Sequence, residues 1–267
     1  MIIEEGMVAV VTGGASGIGL GLAEALADRG VRIVVADIRA DALEQAVSDI
    51  RARGVDAVGQ ATDVSDAGAV ERMAITTMAT FGRVDLVCNN AGLVSPGAPM
   101  WEQEASTWDR MIGVKLRGVI NGVTAFAPYL VAQGSGHILN TASSGGLAPL
   151  PGRTPYAATM HAVVGLTETL DLELKAAGPA LGATVLCPGL VDTPLGQNSA
   201  ALGAITLPSG TAGSIGDLPG AMSARAVADA ALIAVEAGRV HVAPGDGVLE
   251  RARSRVEHLI ADLEAAR

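Results

Sequence analysis

The chain has 267 residues, about half of them apolar, and a net charge of −10, which suits one large α/β domain spanning 1–267. The acidic balance provides no basic patch to neutralise a phosphate backbone, so nucleic acid is not expected as a partner. No run reaches the ~18 consecutive apolar residues of a membrane span. Glu4 and Glu5 interrupt any leader-like pattern at the N-terminus, Cys88 and Cys187 each end an apolar strand-like run, and four scattered histidines show no metal-ligand spacing. The expectation is a cytoplasmic protein with buried free thiols and no metal.

Residues 7–12 (MVAVVT) form a β-branched apolar run, the pattern of a strand buried on both faces. It leads into Gly13-Gly14-Ala15-Ser16-Gly17-Ile18-Gly19 and then a helix to about Asp28. A strand, a glycine-rich turn and a helix in succession make a phosphate site, because the helix N-terminus offers free N–H groups and its positive dipole end. A second strand, residues 32–36, ends at Asp37. An acid there can accept hydrogen bonds from adenosine ribose hydroxyls and repel a 2′-phosphate, which favours NAD(H) without excluding NADP(H). Arg39 has two readings, a partner for such a phosphate or a solvated residue at the start of the next helix.

A helix over 41–53 and a strand over 55–60 follow, then Asp63-Val64. Asp63 is placed to meet an adenine amino group, or to cap the helix over 67–81, a role that suits Asp66 better. A strand over 84–88 runs into Asn89-Asn90-Ala91-Gly92, whose amides can bond neighbouring strand ends while Gly92 admits a ring. One long helix is predicted over 106–130 and a strand over 137–140. Ser143 then stands thirteen residues before Tyr156, which opens a helix over 155–177. Such a hydroxyl pair can meet around one substrate oxygen, one holding it and the phenol moving its proton. Met160, four residues on, shares that helix face, where a cation would be expected to acidify the phenol. A strand over 184–187 ends in Pro188-Gly189-Leu190-Val191-Asp192-Thr193. Residues 194–222 read as a flexible, low-charge substrate loop. A helix over 223–237, a strand over 239–243 and a charged amphipathic helix over 247–266 with a solvated face complete the chain. Strands alternating with helices predict a Rossmann-type, doubly wound parallel sheet flanked by helices on both faces.

These pieces resemble the short-chain dehydrogenases/reductases over essentially the whole length. The matching residues are Thr12, Gly13, Gly17, Ile18 and Gly19, then Asn89-Asn90-Ala91-Gly92, Ser143, Tyr156, and Pro188-Gly189 with Thr193. The resemblance implies a nicotinamide cofactor whose carboxamide is held near Val191 and Thr193, and a homodimer or homotetramer built on paired long helices. It implies hydride exchange with a carbon bearing oxygen or nitrogen, Tyr156 carrying the proton and Ser143 orienting the substrate. It also exposes two departures: the family's active-site lysine is Met160 here, and its helical asparagine is Lys115.

The chain has only two lysines, Lys115 and Lys175. If Lys115 reaches across, an ammonium returns to the site from another direction and can lower a phenol of ordinary pKa ~10 by about one to three units. Met160 then serves as an adaptable apolar filler. The alternative is a lysine that turns to solvent and a decayed, dinucleotide-binding protein. A weakly acidified phenol makes imine reduction a candidate beside ordinary ketone reduction or alcohol oxidation. Trp101, Leu147, Leu150, Met160 and Met222 are the candidate pocket walls for a small hydrophobic substrate, each equally readable as core.

Overall fold

The structure is a computed structural model that describes residues 1–206 and 215–266. Seven parallel strands form its sheet: β1 (Val8–Thr12), β2 (Arg32–Asp37), β3 (Ala57–Ala61), β4 (Leu86–Asn89), β5 (Ser135–Thr141), β6 (Ala180–Leu186) and, after two short strands given below, β9 (His241–Val242). Their order is β3-β2-β1-β4-β5-β6-β9, with in-register parallel pairs such as Val10↔Val34 and Val10↔Val87. The chain therefore reverses its winding direction between β1 and β4, and the carboxyl ends of those two strands open a crevice.

Alternation along the strands builds two cores. Ala9, Val11, Ile33 and Val35 face a layer with Leu22, Leu26, Val227 and Leu232, contributed by α1 (Gly17–Ala27) and α8 (Ala224–Glu236). Leu43 and Ile50 of α2 (Ala40–Arg51) join them. On the opposite face, Val10 and Val34 pack with Val70 and Met73 of α3 (Ala67–Phe81), Phe126 and Leu130 of α5 (Gly118–Gln133), and Leu170 and Leu174 of α6 (Thr154–Ala177). The central strands β1, β2, β4, β5 and β6 are buried on both faces, which removes their apolar surface from water, the main stabilisation of such a sheet, while the edge strands β3 and β9 are partly exposed. α3 starts on Asp66, whose carboxylate accepts from the Gly68 N–H at 2.9 Å. Asp63 instead accepts from the Ser65 N–H and hydroxyl at 2.9 and 2.7 Å.

Three sequence expectations change. The long helix over 106–130 is not uniform: α4 (Ala105–Met111) passes into a π-helical segment, Ile112–Arg117, before α5. The stretch 194–222 holds a helix, α7 (Leu195–Ala201), and residues 207–214 of it lie outside the described residues. β7 (Val191–Asp192) and β8 (Met222–Ser223) pair with each other apart from the main sheet. The last helix, α9 (Val248–Ala265), buries Val248 and exposes nearly all that follows. Among the described residues no helix is long and apolar enough to cross a membrane.

Candidate active site

A cleft of about 1500 Å³ runs along the carboxyl ends of the strands. Its lining includes Gly13, Ser16, Gly17, Ile18, Asp37, Asp63, Val64, Asn90, Ala91, Gly92, Lys115, Ser143, Tyr156, Pro188, Gly189, Val191 and Thr193. Of the glycines expected to hold cofactor only Gly19 is absent, because it is buried beneath the turn, where a Cβ would collide with the Gly13 carbonyl. Its smallness lets α1 seat against the turn and does not touch the cleft.

The first half of the cleft is built around β1 and β2. Asp37 is buried and accepts from the backbone N–H of Ala15 at 3.2 Å and of Arg39 at 3.1 Å, so it braces the glycine turn. Arg39 stands at the start of α2, as one of its two readings had it, but is only partly exposed and is paired. Its Nε lies 3.5 Å from Asp37 and its Nη1 donates to the Asn198 side chain at 2.9 Å. Asn198 on α7 also donates to the Ser16 hydroxyl at 3.1 Å, tying α7 across the turn. Asn198 gave no signal in a Gly/Ala/Ser-rich stretch. Asn90 donates to the Thr12 carbonyl at 3.1 Å and its N–H to the Thr12 hydroxyl at 2.9 Å, as expected of an amide stitching strand ends. The first turn of α1 contains no acid and Ser16 makes no side-chain cap bond, so its N-terminal N–H groups face the cleft uncompensated. At the other end, the Thr141 hydroxyl is buried without a partner. A backbone cradle, a helix N-terminus and an orphaned hydroxyl fit a dinucleotide laid along the strand ends.

The second half places Ser143, Tyr156 and Lys115 together. Ser143 follows β5 and its Oγ accepts from the Gly145 N–H at 3.2 Å. Tyr156 stands in the first turn of α6. Burial raises the phenol above its ordinary pKa, while the Ser143 hydroxyl and the Arg153 charge pull it back. Lys115 comes from the π-helical segment, whose wider turn re-aims side chains relative to a regular helix. It is only 5 % exposed, and its Nζ sits 5.8 Å from the Tyr156 ring centroid. The stem runs over Gly92 so closely that a Cβ there would lie 2.5 Å from Nζ. Among the described residues no acid pairs with Lys115. Burial alone pushes its ammonium down to about 8.

That depression has a thermodynamic consequence. Between pH about 8 and the ordinary 10.5, the unfolded chain binds more protons at Lys115 than the folded one, so stability rises with pH across this window. Below it the folded state carries the cost of a buried ammonium. Lys115→Met is expected to raise stability at neutral pH by on the order of 2–3 kcal/mol and to remove the alkaline rise. Urea melts at pH 7 and 9.5 check both effects.

The expected pocket walls need correction. Met160 is fully buried in a cluster with Val119, Val163, Val164, Val185 and Cys187 and does not line the cleft. Sharing a face with Tyr156 placed it toward the core because α6 packs there against the sheet. Leu147 packs on that same cluster. Leu150 turns toward Gly145, Met222 is held opposite Val191 by β-pairing, and Trp101 is 85 % exposed. None of the four is in the cleft lining. The apolar lining beside Tyr156 includes Leu93, Val114 and Ala204, backed by buried Met111. Cys88 and Cys187 are buried free thiols, and the described residues contain no cluster suited to a metal ion.

The fold and cleft define a Rossmann-type dinucleotide-binding protein with a serine–tyrosine pair at one end. The family model described as short chain dehydrogenase matches residues 7–202. A 1-deoxy-11-beta-hydroxypentalenate dehydrogenase of Streptomyces exfoliatus is 37% identical over 207 residues, 77% of this chain and 72% of that one. A short chain dehydrogenase/reductase from Burkholderia phymatum, solved in complex with NAD, is 34% identical with a TM-score of 0.89, covering 100% of this chain and 97% of the other. A short-chain dehydrogenase from Sphingobium yanoikuyae, solved with NADPH, is 25% identical with a TM-score of 0.79, covering 97% and 95%. The chain belongs to the short-chain dehydrogenase/reductase family. It is an NAD(P)-dependent oxidoreductase.

Proposed function

We propose that this protein interconverts an alcohol and a ketone on a small, largely hydrophobic substrate, using NAD(H) in preference to NADP(H). A bound nicotinamide supplies or accepts the hydride. Tyr156 moves the proton at the substrate oxygen, and Ser143 holds that oxygen by a hydrogen bond. Lys115 provides, from α5's π-helical entry, the positive charge that stabilises a developing phenolate. The carrying observation is the buried, acid-free Lys115 ammonium 5.8 Å from the Tyr156 ring. At pH 7 a group titrating near 8 is mostly charged. Gly13, Ser16, Gly17 and Ile18 would hold the pyrophosphate end, and Asp37 the adenosine ribose. Asp63 and Val64 would flank the adenine, and Asn90, Ala91 and Gly92 the central portion. Pro188, Gly189, Val191 and Thr193 would hold the nicotinamide end. The Streptomyces relative, named as a dehydrogenase of a hydroxylated compound, supports C–OH chemistry.

A second reading, reduction of a C=N bond, is favoured by the raised Tyr156 phenol, since an imine can arrive already protonated and asks less of the acid. Oxidation of NADH and NADPH on matched ketones and cyclic imines tests both. Ketone turnover with NADH preferred is the expected result, and imine turnover alone moves the assignment to C=N. Tight cofactor binding without turnover on either panel leaves a binding protein. Exposed Ile120 on α5 and Leu172 on α6 support a homo-oligomer assembled through these long helices.

A further inference from the structure

We propose that the substrate carries a carboxylate, bound by the Arg153 guanidinium with the Ser95 hydroxyl at the Tyr156 end of the cleft. This rests on the alcohol–ketone reading above and adds the substrate class.

The charges around the cleft are sorted by depth. Its acids Asp63, Glu102, Glu104 and Asp109 are exposed, and buried Asp37 lies at the adenosine end, beside Arg39 and two backbone N–H groups. Beside the phenol, the charged side chains withdrawn from solvent are Lys115 and half-buried Arg153, both cations. Neither has an acidic partner among the described residues. Uncompensated charge of one sign in a walled cleft raises the local concentration of ligands of the opposite sign. Lys115 belongs to the phenol, so Arg153 is the cation with no assigned task.

Arg153 is prepared for a planar anion. It occupies the cap position of α6, whose first turn contains no acid, so the helix dipole adds to its charge. One Nη1 hydrogen is given to the Ser95 carbonyl, leaving the rest of a fork that matches a carboxylate in two-point fashion. Ser95 itself is completely buried, lines the cleft, and has a hydroxyl with no partner. A native structure rarely leaves such a group unsatisfied, and a bound ligand oxygen resolves it. The pair is held in place: Ala98 N–H donates to the Gly152 carbonyl at 2.9 Å, and Gln103 Nε2 donates to the Ala98 carbonyl at 2.8 Å. Leu93, Val114 and Ala204 beside Tyr156 supply an apolar surface for the remainder of the molecule. The substrate class is therefore a hydrophobic acid bearing a secondary alcohol or ketone away from its carboxylate. The carboxylate is a handle and undergoes no change. With an oxidised nicotinamide bound, the reacting C–H would give up its hydride to it and the O–H its proton to the Tyr156 phenolate.

The test is calorimetric binding to the full chain with saturating NADH, using cyclohexanecarboxylate, benzoate and decanoate beside their primary amides. At least one acid should bind at least about tenfold more tightly than its amide. Arg153→Gln should collapse that ratio to near one, and Arg153→Lys should recover part of it. Equal binding of acid and amide in all pairs, no binding of any acid, or an acid preference that survives Arg153→Gln overturns the proposal. Turnover of 3-hydroxycyclohexanecarboxylate and its methyl ester with NAD is read separately. Arg153-dependent acid binding without turnover of alcohols or ketones would remove the functional assignment and leave the carboxylate site standing. Efficient ester turnover without any acid preference would do the reverse.

Discussion

Tyr156→Phe lowers kcat by about 10²–10⁴-fold, the range associated with losing a positioned proton donor, while the affinity for NADH is unchanged. In the proposed reaction the phenol carries the proton, beside Ser143 and with the Lys115 ammonium over its ring, whereas the proposed dinucleotide cradle is built from the β1 turn, Asp37 and the β4 end. Removing one hydroxyl from the buried end of the cleft leaves that cradle intact. Stopped-flow single turnovers with NADH separate the two effects, since binding and chemistry are read as different phases. A variant with near-native kcat would assign the proton to another group.

Lys115→Ala has the second large effect. A cation within a few ångströms of a phenol is worth about one to three pKa units. Its loss is expected to slow reduction by about 10–10³-fold. The pH profile carries the diagnostic. In the wild type, reduction falls as Lys115 loses its proton near 8, because the neutral amine no longer stabilises the phenolate that forms when Tyr156 gives up its proton. That limb disappears in Lys115→Ala. Gly92→Ala should reproduce part of the loss without touching a charge, because its added Cβ would displace the lysine head. The same lysine is a stability burden below pH 8, so activity and stability should move in opposite directions on its removal.

Much of the fold was legible because a buried parallel sheet writes itself as short β-branched runs, and the glycine turn after residues 7–12 fixes where the crevice opens. Asp66 as a cap and Asn90 as a stitch followed from what their side chains can bond. The π-helical segment was not legible. Helical periodicity across 106–130 is nearly the same with or without one wide turn, so nothing in the pattern announced how Lys115 would be aimed. The pocket walls failed for a related reason. Nearness to Ser143 and Tyr156 in the chain says little about direction, and Met160, one turn beyond Tyr156, points into the core between α6 and the sheet. Arg153 had a signal that was overlooked, a cation three residues before the catalytic candidate and at a helix start. Asn198 and the orphaned hydroxyls of Ser95 and Thr141 depend on contacts between distant segments and carry no local mark.

The proposed mechanism places the active-site ammonium at the entry of α5 rather than on α6. Its most direct measurement is ketone reduction by wild type, Lys115→Asn and Lys115→Arg, with folding of each checked by circular dichroism. Lys115→Asn should lose about 10–10³-fold in kcat/KM, and Lys115→Arg, which keeps the positive charge on the same segment, should recover part of it. Lys115→Asn as active as the wild type would contradict the claim, because the phenol would then work without the lysine that lies against it.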